Sequence, residues 1–126
     1  MLRISDVVTL HVPLTSSTKG MIGTNEFGMM KKDSILLNCA RGGIVDEQAL
    51  LVALKSGMIF GAGLDAMDFE PPTTNIYGET LLSCDNVVMT PHIGASTVEN
   101  QSQSRMAAVE TLLNFLEGKT VSSRLV

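Results

Sequence analysis

Four side chains of this 126-residue sequence are of types that do chemistry. They are Arg41 in "LLNCARGGIVDE", Asp65 in "GAGLDA", Glu70 in "FEPP" and His92 in "TPHIGAST". An arginine is a permanent cation whose planar fork matches a carboxylate. A histidine takes up and releases protons near neutral pH. Each also has a plain reading taken alone: Arg41 as a surface ion-pair partner, Asp65 as a turn or capping residue, and His92 as a loop histidine with its hydrogen bonds satisfied. His11 in "DVVTLHVP" reads as a structural histidine on a packed face.

The elements that must position these groups are legible in the pattern. "DVVTLHVP" (6 to 13) is β-branched and apolar and stops at Pro13, which predicts a strand ending near Val12. Thr24 reads as the N-cap of a short helix over Asn25 to Met30. "SILLNCA" (34 to 40) predicts a second strand. Its apolar run does not alternate, the pattern of a central strand covered on both faces.

"VDEQALLVALKSG" (45 to 57) carries Asp46 as N-cap, acids in the first turn, apolar residues at 50, 51 and 54, Lys55 in the last turn and Gly57 just beyond. It predicts a helix. "MIFGAGLDA" (58 to 66) predicts a third strand whose glycines admit another backbone closely. A loop, Pro-rich at its start, leads to a short fourth strand, "NVVMTP" (86 to 91). Ser96 with Glu99 forms a capping box for a helix running to about Glu117 and stopped by Gly118.

Strands alternating with helices predict an α/β fold with a doubly wound parallel sheet, of which four strands and three helices are about half. In such sheets ligands bind outside the carboxyl ends of the strands. Arg41, Asp65 and His92, with Glu70 shortly after Asp65, then converge on one edge, which moves each away from its plain reading. "GAGLDA" also matches the pattern of a dinucleotide phosphate loop. The context fails, because its glycines fall inside the strand and "MDFEPP", not a helix, follows.

Composition narrows the rest. At 44% hydrophobic residues the chain suits one packed core. The net charge is −4 and the nine Lys and Arg are scattered, so nucleic-acid binding is set aside. Cys39 and Cys84 have no zinc-ligand spacing and read as free thiols of a reducing compartment. No apolar stretch approaches the roughly 20 residues that span a bilayer, and no signal-peptide pattern opens the chain. The expectation is a soluble, cytoplasmic protein with neither a membrane partner nor a metal.

"LNCARGGIVDEQAL", "GAGLDA..FEPP" and "TPHIGAST", in this order and spacing, resemble the D-isomer-specific 2-hydroxyacid dehydrogenases, most closely the phosphoglycerate dehydrogenase branch. The resemblance runs from "SDVVTLHVPLT" through the final helix. It implies an incomplete NAD-binding domain of Rossmann-like fold: residues 1–95 as second-half β/α units, 96–118 as a long helix leading back toward a substrate domain, and 119–126 as a tail. The glycine-rich first half of the nucleotide domain and the substrate domain of a complete member are absent.

By motif, the resemblance implies that Arg41 grips the substrate carboxylate, His92 is the acid/base and Glu70 is its partner. Asp65 holds the nicotinamide carboxamide. Val12, Cys39, Ala40, Arg41, His92, Ile93, Gly94 and Ala95 line the cofactor, which is NAD, with NADP left open. Reduction of a 2-oxo acid delivers hydride to carbon and a proton to oxygen, so a histidine beside a carboxylate suits the need. The sequence departs from the family in having Ala66-Met67 for a valine and an aromatic residue, which predicts looser packing beneath Glu70.

The implied activity is hydride transfer between nicotinamide and a small 2-hydroxy or 2-oxo acid, with 3-phosphoglycerate among the substrates and a homodimeric parent enzyme. In isolation the chain is expected to be inactive or weakly active. Two other readings stand beside it. One is an NADH-sensing binding protein of dehydrogenase fold. The other is an inert fragment with an exposed sheet edge prone to association.

Overall fold

The structure, a computed structural model, describes residues 1–70 and 81–121. Four strands, β1 (Val7–Leu10), β2 (Ile35–Asn38), β3 (Gly61–Leu64) and β4 (Val87–Met89), pair side by side in that order, all parallel. The Pro-rich start of the loop after β3, Pro71-Pro72, lies outside the described residues. Two compact units divide the chain, Met1–His92 and Ile93–Val126.

Helices α1 (Thr24–Phe27) and α2 (Glu47–Lys55) bridge successive strands and pack on each other. A strand order that never reverses, joined by right-handed crossovers, puts both helices on one face. The sheet is therefore the one-directional half of a doubly wound fold. The core fills this layer: Leu36, Ile44, Leu50, Phe27 and Ile59 are almost wholly buried.

On β2 burial alternates although hydrophobicity does not. Leu36 and Asn38 are buried, while Ile35 and Leu37 are half-buried beside the exposed Phe60 and Val88. The expectation of cover on both faces is thus met on one face only among the described residues. β2 is nonetheless internal to the sheet, as predicted.

α2 has the predicted ends. The Asp46 carboxylate accepts from the Gln48 and Ala49 N–H groups, both at 3.0 Å, and Gly57 takes φ +68° after the last turn. At α1 the cap is Gly23, not Thr24: the Glu26 carboxylate accepts the Gly23 N–H at 3.0 Å. The helix stops at Phe27 because Met29 and Met30 bond to acceptors three residues back, a tighter turn than an α-helix sustains.

The strands are shorter than predicted at their carboxyl ends. β1 ends at Leu10, so His11 is exposed, not packed, with its Nε2 2.8 Å from Thr9 Oγ1. The predicted 58–66 strand keeps only Gly61–Leu64, since the Met58 N–H turns back to Ala53 O at 2.8 Å. The glycines there act as expected: a Cβ at Gly61 would lie 2.8 Å from Asn86 O.

The second unit is built on α3 (Val98–Leu116). Thr97, not Ser96, caps it, its hydroxyl accepting the Asn100 N–H at 3.2 Å. The Ser96 N–H is used by Ile93 O at 2.8 Å. Gly118, at φ +73°, ends the helix as predicted. None of its residues is buried. Among the described residues no helix is long and apolar enough to cross a membrane.

Candidate active site

The turn that carries Arg41 is fixed by Asn38, the last residue of β2. Its buried side chain donates to Arg41 O at 3.0 Å and to Ala66 O at 3.1 Å, and accepts the Ala40 N–H at 3.2 Å. One amide thus joins the ends of β2 and β3. An unpaired amide there would cost about 1–3 kcal/mol, so the full set of bonds matters. Sequence reasoning passed over Asn38; the signal was an amide inside an apolar strand.

Gly42 and Gly43 have different reasons. A Cβ at Gly42 would lie 2.1 Å from Met67 O, so the two backbones touch only because there is no side chain. Gly43 takes φ +77°, a conformation that glycine adopts without strain. The segment opposite is held as well: the Asp68 N–H donates to Glu47 Oε1 at 2.8 Å. Ala66 and Met67 are both buried.

Glu70 and His92 meet. Nδ1 of the imidazole is 2.8 Å from Glu70 Oε2, and Glu70 Oε1 accepts the Met67 N–H at 2.9 Å. The Met67 amide first, and the His92 hydrogen bond second, hold the Glu70 carboxyl below its ordinary range. An ionised carboxylate only accepts, so Nδ1 must be the donor and Nε2 the nitrogen left for chemistry. His92 itself has φ +53°, alone among the described non-glycine residues in lying on the positive side.

Arg41, Glu70 and His92 line one open cleft of about 500 Å³, with Leu14, Lys19 and Met67 among its walls. Arg41 donates from Nη1 to Ala40 O at 2.6 Å. Among the described residues it has no ion-pair partner, so the plain reading as a surface ion pair does not hold. Lys19 is a second cation of the cleft that the sequence reading did not single out. A neighbouring hollow of about 530 Å³ at the carboxyl ends of β1 and β2 is lined by His11, Val12, Cys39, Ala40 and again Arg41.

Asp65 follows β3 and is buried, its carboxylate accepting from Thr90 Oγ1 at 2.5 Å. Ile93, Gly94 and Ala95 open the second unit, where Ala95 O accepts from Asn100 Nδ2 at 2.8 Å. The sequence-predicted residues of the first unit therefore stand at the carboxyl edge, and three of them share a cleft. An exposed guanidinium, a carboxylate-backed imidazole and a buried carboxylate are together suited to bind an acid and move a proton.

Comparison with known proteins bears on which acid chemistry this is. The model of the D-isomer specific 2-hydroxyacid dehydrogenase NAD-binding domain matches residues 1–94. The chain belongs to this family. It is 47% identical over 115 residues to a D-3-phosphoglycerate dehydrogenase of Methanocaldococcus jannaschii, covering 91% of this chain and 21% of that protein. It is likewise 47% identical over 116 residues to a hydroxypyruvate reductase of Thermotoga maritima, covering 92% and 38%.

Among solved structures, the D-isomer specific 2-hydroxyacid dehydrogenase of Lactobacillus delbrueckii ssp. bulgaricus in its NAD complexed form superposes with a TM-score of 0.86. The identity is 36%, over 97% of this chain and 40% of that one. This member of the family thus spans between a fifth and two fifths of the length of these relatives.

Proposed function

We propose that this chain supplies the nicotinamide-side and proton-transfer half of an NAD-dependent D-2-hydroxyacid dehydrogenase. The observation that carries this reading is one cleft holding an arginine that has no ion-pair partner among the described residues, beside a histidine whose Nδ1 is taken by Glu70.

The residues present fit the nicotinamide end of the cofactor. Val12, Cys39, Ala40 and Arg41 wall the hollow at the carboxyl edge, and the Asp65 carboxylate is an acceptor suited to a carboxamide NH₂. Ile93, Gly94 and Ala95 complete the cofactor set in this reading. The glycine turn between β2 and α2 is taken up by the close approach of Gly42 to Met67 O and by the positive φ of Gly43, and in this reading the pyrophosphate is held by other parts of the parent enzyme. When bound, the nicotinamide exchanges hydride with the substrate carbon.

The chain's own residues do the rest. Arg41 pairs with the substrate carboxylate through its planar fork, which orients the reacting carbon. His92, protonated in the direction of reduction, gives its Nε2 proton to the substrate oxygen, and takes it back in oxidation. Glu70 accepts from Nδ1 throughout and so fixes which nitrogen faces the substrate. Arg41 reads the carboxylate shared by all 2-hydroxy acids, and the reading therefore stops at that class, with 3-phosphoglycerate one member. A homodimeric parent enzyme in a reducing, cytoplasmic setting belongs to the same reading.

The test is a graft in which this chain replaces its counterpart in the T. maritima hydroxypyruvate reductase. NADH consumption with glyoxylate, pyruvate and hydroxypyruvate is then followed. Turnover of a 2-oxo acid is the expected result. NADH binding with no turnover favours the sensor reading, and loss of both favours an inert segment.

A further inference from the structure

Thr90 stands between the two groups that the proposed reaction must keep in register, and it touches both. Its N–H donates to Leu64 O at 2.9 Å, its hydroxyl donates to Asp65 Oδ1 at 2.5 Å, and its carbonyl accepts the His92 N–H at 2.9 Å. Leu64 pairs with Met89 across β3 and β4, so Asp65 and Thr90 are the next residues along two neighbouring parallel strands. They leave the sheet side by side.

The hydroxyl has a geometric task that the backbone cannot do. The terminal torsion of an aspartate is broad and roughly two-fold, so strand geometry alone does not set the plane of its carboxylate. A donor on one oxygen, mounted on the adjacent strand, selects one rotation. The length of this bond is at the short end of the range for a hydroxyl on a carboxylate, where such bonds are strongest. A packing role alone would be filled equally by valine, which has the same branched shape.

We propose that Thr90 is a positioning residue: its hydroxyl sets the plane of the Asp65 carboxylate, and its carbonyl ties His92 to that setting. One residue thereby registers the acceptor for the nicotinamide amide with the imidazole that carries the proton. The coupling to the cofactor rests on the reading of Asp65 given above, whereas the setting of the carboxylate does not.

The experiment uses the 126-residue chain labelled with ¹³C at the aspartate carboxyls. The Asp65 resonance is followed through an acid titration, and a parallel titration with NADH is read by broadening of the nicotinamide protons. Thr90→Val is expected to raise the Asp65 midpoint by about one unit, since a hydrogen bond to the ionised form is lost. It is expected to weaken the nicotinamide broadening about fivefold. Thr90→Ser is expected to restore both, and Thr90→Ala gives the same comparison where valine disturbs folding.

An Asp65 midpoint that stays in place without the hydroxyl, or that serine fails to restore, overturns the proposal whatever NADH does. Nicotinamide broadening that survives Asp65→Ala, or that Thr90→Val leaves unchanged while the Asp65 midpoint moves, overturns the carboxamide coupling. Either result removes the coupling to the cofactor while the carboxylate setting stands on its own titration.

Discussion

Nδ1 of His92 lies 2.8 Å from Glu70 Oε2, while the other oxygen of the same carboxylate accepts the Met67 N–H at 2.9 Å. The acid is held from both sides, and it in turn orients the imidazole. Glu70→Gln keeps the shape but can turn an NH₂ toward Nδ1, which favours the wrong tautomer. In the graft this is expected to lower turnover on the order of 100-fold with little change in NADH affinity. Stopped-flow NADH oxidation checks it, and a change below threefold contradicts the pairing's role.

The same pair gives a pH dependence with a definite sign. The native Glu70 carboxyl lies below its ordinary range, through the Met67 N–H first and the His92 hydrogen bond second. A lowered native pKa stabilises the fold above the unfolded value of about 4.3, and the contribution is lost as pH falls through the native value. The Glu70 ¹³C carboxyl midpoint is expected below that range in the unaltered chain, with His92→Ala restoring only part of the shift. A midpoint at or above the ordinary value contradicts this.

The close approach at Gly42 sets a strict size limit. Because a Cβ there would lie 2.1 Å from Met67 O, Gly42→Ala must push apart two backbones that carry Arg41 and Glu70. A loss of about 2 kcal/mol or more is expected in urea unfolding of the chain. An unchanged midpoint would show that the turn gives way freely.

Asn38 is the corresponding polar constraint. Asn38→Leu preserves volume and removes the bonds to Arg41 O, Ala66 O and the Ala40 N–H. Stability is expected to fall by about 2–4 kcal/mol, the range for buried partners left unpaired. The Ala40 amide is expected to exchange with solvent faster than the β2 amides. Equal protection in both forms contradicts Asn38's part in the turn.

Much of this is legible in the sequence alone. The parallel α/β order, the Asp46 cap and the glycine stops at Gly57 and Gly118 follow from local chemistry, and local chemistry decides them. The strands end earlier than their hydropathy suggests, at β2 because the Asn38 side chain takes up Arg41 O and the Ala40 N–H, bonds that a hydropathy pattern does not encode. The site residues were legible as types at strand ends. That Arg41, Glu70 and His92 share one cleft, and that Asn38 and Thr90 hold their neighbours, depends on contacts more than twenty residues apart in sequence. The apolar sequence of β2 promised cover on both faces; the described residues cover one, since strand order and crossover handedness place both helices there.

The central claim is that this chain brings a carboxylate anchor and a proton carrier to one nicotinamide. The most direct measurement is steady-state turnover of a 2-oxo acid by the graft and by its Arg41→Ala and His92→Ala forms. His92→Ala is expected to lower kcat by about 10²- to 10⁴-fold, and Arg41→Ala to act mainly by raising KM for the 2-oxo acid. Turnover by both variants at the rate and KM of the unaltered graft would contradict it.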